Sequence, residues 1–254
     1  MSHPELAGTN LREEQAIRRD LAAAFRWTVR WNWHEAVANH FSAAVNADGS
    51  QFLMNPDRRH FSRIRASDLI LIDANDPRTM DRPDAPDATA WGLHGAIHRR
   101  VPWARAVLHV HSKYATVLAS LADSRLPAID QNSAMFHNRV VIDEGYGGLA
   151  LEEEGERIAA LFTDPKVRTM VMGNHGVLVA AEDVAKALYT LYLFERSAET
   201  YITALSTGQP LRHLSDEIAE KTTREMEIYE DDTPRIHLDE LCAILDAEGS
   251  DYAD

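Results

Sequence analysis

Ala106-Val107-Leu108-His109-Val110-His111 is the stretch on which the reading of this chain turns. Its apolar run predicts a short buried strand. Residues two apart on a strand leave the same face, so His109 and His111 project together while Val110 packs behind them. A third histidine, His175, stands in Asn174-His175-Gly176, just past a second apolar run at residues 167–172. If the two strand ends are neighbours, three neutral ring nitrogens surround one point. Such a set holds a divalent metal and keeps a position open for substrate.

Working outward, residues 11–30 have helical spacing, with Ile17, Leu21, Ala24, Phe25 and Thr28 on one stripe. Residues 1–10 are expected to be a flexible end. Trp27, Trp31 and Trp33 crowd the far end of the helix and read as core packing. Residues 41–45 and 52–54 are predicted strands, joined by a loop whose Asp48-Gly49 pair supplies a hairpin turn. A strand at 69–72 follows, and then a loop over 76–88 marked by Pro77, Pro83 and Pro86. Residues 89–100 return to helical spacing and stop at Val101-Pro102.

Past the His-x-His strand, helices are predicted at 113–121 and 151–162, and strands at 167–172 and 177–180. A long helix over 182–205 ends at Thr207-Gly208-Gln209-Pro210, and shorter ones follow at 215–229 and 238–246. Hairpin strands mixed with flanking helices imply an α/β sandwich on a mainly antiparallel or mixed sheet. The expected organisation is one metal-binding domain over 11–208. A helical arm over 209–254 would then pack on that domain or on a neighbouring subunit.

The chain has 254 residues, enough to bury a sizeable core, with 45% hydrophobic and 26% charged residues. A net charge of −14 argues against nucleic acid and anionic membranes as partners. The single cysteine, Cys242, cannot form an internal disulfide, which fits a reducing, cytoplasmic setting. No apolar stretch approaches the ~20 residues that span a bilayer. The first residues carry no basic segment followed by an apolar one, so no secretory leader is expected.

Three motifs together resemble the class II aldolase/adducin family: Leu93-His94-Gly95-Ala96-Ile97-His98, the His109-Val110-His111 strand and Asn174-His175-Gly176. Asn39-His40-Phe41-Ser42, Asn55-Pro56 and Ser67-Asp68-Leu69 agree with it more weakly. The resemblance implies a three-layer α/β/α domain around a mainly antiparallel sheet. It also implies a homo-oligomer, commonly a tetramer, with active sites between subunits. His109, His111 and His175 would be the ligands of a divalent metal, zinc foremost, with manganese or another ion as alternatives. Asn39 and His94 would line the substrate site.

Three departures from the family pattern bear on the chemistry. Where the family's sugar-phosphate aldolases carry an acid/base glutamate, four residues before the histidine matched by His94, this chain has Ala90. The family's proton-donating tyrosine maps near Pro127 to Gln131, with Gln131 in its place. The phosphate-binding Pro-Ser-Gly element reads Pro56-Asp57-Arg58, whose side chains cannot give phosphate a close backbone approach. A carboxylate substrate gripped by Arg58 or Arg59 fits better than a sugar phosphate.

A metal with an open position can coordinate adjacent oxygens of a hydroxy- or oxo-acid and stabilise an enolate. Retro-aldol cleavage needs a base to begin, whereas decarboxylation needs only a later proton donor. Both remain open, with His137, Asp130, Gln131, His60 and Glu144 as candidate proton-handling groups. The leading expectation is therefore a metal-dependent carbon–carbon lyase. The alternatives are a non-catalytic assembly module, as in the adducin branch, and an epimerase that cleaves and rejoins one bond.

Overall fold

A computed structural model describes residues 4–149, 151–229 and 231–254. Helix α1 runs Pro4–Arg30 and begins with proline in the first turn, where a missing N–H costs no hydrogen bond. It therefore takes in residues 4–10, expected above to be loose, while residues 1–3 lie outside the described chain. The hairpin strands β1 (His40–Ala44) and β2 (Gln51–Met54) are joined through Gly49, which sits at φ +79° as the turn requires. Strand β3 (Ile70–Asp73) and helix α2 (Ala88–Arg100) follow. The Asp87 carboxylate caps α2 by accepting from the amides of Thr89 and Ala90.

Strand β4 (Ala106–Val110) leads directly into helix α3 (Lys113–Ala119). Next come the single-turn helix α4 (Gln131–Ala134), strand β5 (Val140–Asp143) and helix α5 (Glu152–Ala159). Strands β6 (Thr169–Met172) and β7 (Gly176–Ala181) form a second hairpin. Helices α6 (Val184–Ser206), α7 (Asp216–Tyr229) and α8 (Thr233–Ala247) complete the chain. Sequence periodicity missed α4 and β5. Helix α4 is one turn held by a capping box of Asp130 and Ser133, and β5 is a four-residue edge strand lacking alternation.

The seven strands form one sheet in the order β3-β2-β1-β4-β7-β6-β5, antiparallel everywhere except between β5 and β6. Side-chain alternation divides it into two faces. Phe41, Leu108, Val110, Val177 and Val179 join α1, α3, α6 and α8 in the larger core. Val107, Met170, Met172, Leu178 and Ala180 meet Leu93 and Ile97 of α2 and Ile158 of α5. These are the three layers. Helices α2 and α5 touch backbone to backbone: a Cβ added at Gly155 would lie 2.0 Å from the Gly92 carbonyl oxygen.

The C-terminal helix α8 packs on the domain and contributes to its larger core. Leu238, Leu241, Cys242 and Leu245 of α8 are buried in it, and Trp27 Nε1 donates to the Leu241 carbonyl at 3.0 Å. The chain end is tied down as well, the Ser67 amide donating to the Asp254 carbonyl at 2.8 Å. Trp31 packs against Trp27, Trp33 and Tyr192 with ring centroids 5.4, 4.6 and 5.2 Å away, so the tryptophans are structural. No helix among the described residues is long and apolar enough to cross a membrane.

Candidate metal centre

Sheet register brings the motifs to one end of the fold. Strands β4, β2, β5 and β6 finish there, while β1 and β7 begin there. His40 stands opposite His109 across β1 and β4, and Val110 stands opposite Val177 across β4 and β7. The turn 173–175 of the β6–β7 hairpin therefore lies beside the end of β4. Asn174 takes φ +57° in that turn, a conformation asparagine tolerates, and its amide donates to the Ala119 carbonyl at 2.9 Å. Gly176 must be glycine, since a Cβ there would lie 2.6 Å from the Val110 carbonyl oxygen and 3.1 Å from the His111 ring. This close approach brings His175 over the His-x-His pair.

One ring nitrogen from each of His109, His111 and His175 lies within 4.8 Å of the other two. His109 Nε2 and His111 Nε2 are 3.1 Å apart, close to the ~3.4 Å between nitrogens that share a tetrahedral ion at about 2.1 Å. His109 Nδ1 donates to the Val177 carbonyl at 3.0 Å, and a carbonyl can only accept, so the proton sits on Nδ1 and Nε2 keeps its lone pair. Burial holds all three rings towards the neutral form. It pushes His109 well below its ordinary value, lowers His111, and together with the nearby His111 takes His175 down to about 4. Neutral nitrogens sharing one point are what a divalent cation needs, and the residues present fit one.

The surroundings hold the rings in place. Glu195 of α6 accepts from Ser112 Oγ at 2.7 Å and from the Tyr114 and Ala115 amides, both at 2.9 Å, which anchors α3 one residue past His111. On the other side, the Gly173 amide donates to the Asp143 carbonyl at 2.8 Å, tying the hairpin turn to the end of β5. Tyr146, which sequence reading passed over, presents its ring edge-on to His175 with centroids 6.2 Å apart and stays half exposed.

On the α2 side of β1 lies a buried polar row. Ser42 Oγ is 2.8 Å from His98 Nε2 and 2.6 Å from His94 Nδ1, and His94 Nε2 is 2.8 Å from His40 Nδ1. Burial takes His40 and His98 down to about 3 and leaves His94 well below its ordinary value. Both His94 nitrogens are engaged and the ring is fully buried, so none is left for a substrate, contrary to the expectation from its motif. Ala90 packs with Ala44, Phe52, Met54 and Ile72, so an apolar cluster fills the position where the family's aldolases carry a glutamate.

The remaining candidates divide by what their polar atoms already do. Arg59 is paired with Asp68 and is thereby withdrawn from the carboxylate-gripping role expected of it. Arg58 sits at φ +54° on an exposed turn with its side chain 86% accessible, paired only loosely with Asp57 at 3.4 Å. Asn39 is buried; its Oδ1 accepts from the Glu35 amide, and its Nδ2 has no partner among the described residues. His60 is occupied at both nitrogens, by His34 at 2.9 Å and Ser62 at 2.8 Å, and Asp130 caps α4 through the Ser133 amide at 2.7 Å. Those bonds count against either as a proton relay. Gln131 is exposed at the start of α4, and His137 lines a cavity with Arg125, Tyr201 and His213. Glu144 lies in a cleft beside Gly173 and Asn174. No hydrogen bond or ring contact among the described residues joins His137, Gln131 or Glu144 to the three histidines.

Comparison with known proteins places this geometry. The family model of the class II aldolase and adducin N-terminal domain matches residues 19–202. A Pseudomonas aeruginosa protein named only as a class 2 aldolase is 28% identical over 206 residues, covering 81% of this chain and 78% of its own length. Decarboxylase NovR of Streptomyces niveus is 26% identical over 207 residues, covering 81% of this chain and 75% of NovR. The crystal structure of an aldolase II superfamily protein from Pseudomonas syringae superposes with a TM-score of 0.84 at 30% identity. That match covers 95% of this chain and 96% of the other.

Proposed function

This chain belongs to the class II aldolase and adducin family, and from that premise we propose that it is a metal-dependent carbon–carbon lyase acting on a small hydroxy- or oxo-acid. The observation that carries the reading is the convergence of His109, His111 and His175, from two strand ends, on one point. These three residues would hold a divalent ion, zinc foremost. When bound, it supplies Lewis acidity towards adjacent substrate oxygens, the chemistry that retro-aldol cleavage and decarboxylation share.

The chain's own residues supply the rest. The His109–Val177 bond keeps the ligand lone pair aimed inward. The loop carrying Arg58 leaves β2 at the same end of the sheet as the triad, and its exposed guanidinium is the group for the substrate carboxylate. Asn39 Nδ2 is sealed as well as unpartnered among the described residues, so no donor role towards substrate is assigned to it. With apolar packing around Ala90, no carboxylate stands ready to start a retro-aldol cleavage from that position, which favours decarboxylation. The name of NovR agrees with that preference. A homo-oligomer with active sites between subunits is part of the proposal, and it is the arrangement through which Gln131 or His137 could serve a neighbouring chain's centre.

Metal analysis and a substrate screen test the reading together. Hydroxy- and oxo-acids are assayed for released carbon dioxide or aldehyde, with zinc, with manganese and after chelation. About one divalent ion per chain, and activity abolished by chelator and restored by metal, are expected. A protein with no stoichiometric metal that is indifferent to chelator would instead be an assembly module of the adducin kind, the reading that the family's adducin branch keeps open. An inverted product without a lost fragment would make it an epimerase.

A further inference from the structure

His98, Ser42, His94 and His40 form a continuous hydrogen-bonded row to which the proposed function assigns no role. All four are buried, at 3, 0, 0 and 5% exposure respectively. Among the described residues no carboxylate hydrogen-bonds to any of them; Asp87, whose charge acts on His40, is taken up with the Thr89 and Ala90 amides at the start of α2. Each ring therefore carries one proton, and which nitrogen holds it is set by the row.

We propose that this row is a one-way relay that fixes His40 with its proton on Nε2, making His40 a neutral hydrogen-bond donor to a substrate oxygen beside the His109–His111–His175 centre, and not a base. The substrate half of the inference rests on the lyase reading above; the relay itself does not.

The direction follows from counting protons. Ser42 has one hydroxyl proton and two imidazole neighbours, so it donates to one and accepts from the other. If it donates to His94 Nδ1, then His98 Nε2 must donate to Ser42. The single His94 proton then lies on Nε2 and goes to His40 Nδ1, which leaves the His40 proton on Nε2. The opposite direction would put the His98 proton on Nδ1. That atom is buried and has no hydrogen-bond partner among the described residues. A sealed N–H is the rarer defect in folded proteins, so the first direction is favoured.

At the other end, His40 Nε2 has no hydrogen-bond partner among the described residues and is not one of their sealed, unpartnered atoms. His40 stands opposite His109 in the sheet, with ring centroids 5.0 Å apart. Its free N–H is thus presented beside the metal centre. A neutral imidazole that donates to a developing oxyanion stabilises charge without any net proton transfer, and no ring in the row need change its charge. Ser42, His94 and His98 are positioning residues in this scheme.

Long-range proton–nitrogen spectra of the full chain carrying 15N-histidine test it, recorded after chelation and after zinc loading, with His40 assigned from H40Q. Expected is a protonated Nε2 and an unprotonated Nδ1 on both His40 and His94, with or without zinc. A protonated His40 Nδ1, or equal populations of the two forms, overturns the relay. Adding oxalate, a small chelating carboxylate, to the zinc-loaded protein is expected to shift the His40 Nε2–H resonance; no shift means that His40 does not face the ligand. Ser42→Ala should keep zinc stoichiometry, release the fixed tautomer and weaken oxalate binding about tenfold, with Ser42→Thr restoring both. An S42A spectrum and affinity equal to wild type would refute the positioning role. Failure to bind zinc would remove the lyase reading alone, because the tautomer is read without metal.

Discussion

The two faces of β1 and β4 use the same backbone for opposite purposes. Towards α1 and α6 they present Phe41, Ala43, Leu108 and Val110, an apolar layer with no polar atom to satisfy. Towards α2 they present, beside the apolar Ala44 and Val107, the polar His40, Ser42 and His109, buried just as deeply but each held by a hydrogen bond or a ring contact. The first face stabilises by area and packing, and the second by exact pairing in a low-dielectric setting. What differs is the cost of a change. A methylene lost on the apolar face weakens the fold, while a polar atom lost on the other disturbs chemistry first.

Substitutions on the two faces should separate fold from function. The largest effect is expected from His109→Ala, His111→Ala or His175→Ala: metal content per chain drops towards zero and activity falls to background, while the circular dichroism spectrum is kept. Full metal occupancy in any of the three would remove that residue from the ligand set. The mirror experiment is Leu108→Ala, where the side chain is fully buried. It should cost about 2–5 kcal/mol of stability in denaturant titration while retaining stoichiometric metal. If metal is lost in proportion to stability, the two faces are not independent.

Acid should sharpen the contrast without any mutation. His40 and His98 lie at about 3 in the folded chain, against an ordinary 6.5 that the unfolded chain recovers. Below 6.5 the unfolded state binds protons that the folded state refuses, so stability present above that pH declines as pH falls towards 3. Chelated protein should therefore show a lower denaturant midpoint at pH 5 than at pH 7. His98→Phe should flatten that dependence, and an unchanged slope would mean that the row does not stay neutral. The smallest effect is expected at the exposed rim, where Arg58→Ala should raise KM several-fold and leave Tm nearly unchanged, within the ~0.5 kcal/mol typical of surface sites. A change confined to Tm would make that loop structural.

Much of the fold was legible because it depends on local pattern. The hairpin at Gly49, the α2 and α6 helices and the His-x-His strand each carry their own turn, cap or period. The four-residue β5 did not, since its parallel partner β6 supplies the pairing that makes it a strand. Nor did the place of α8, whose buried stripe has meaning only against α1 and α6. At the site, the shared face of His109 and His111 could be read from strand alternation, and the family resemblance implied His175 as their third member. The roles of His94, Arg59, Asp130 and His60 could not, because each depends on a hydrogen bond or ion pair that its motif does not mention.

Alone, the order of residues determined that His109 and His111 leave one face of a strand, because alternation is a property of the extended backbone. It also determined that Ala90 offers no acid or base. Only the tertiary structure decided that His175 comes over that pair and that His40, Ser42, His94 and His98 share a row. The bond that orients His109 joins residues 68 apart. Closing such distances is the work of sheet register and close backbone approach, and neither is written in any local stretch of the chain.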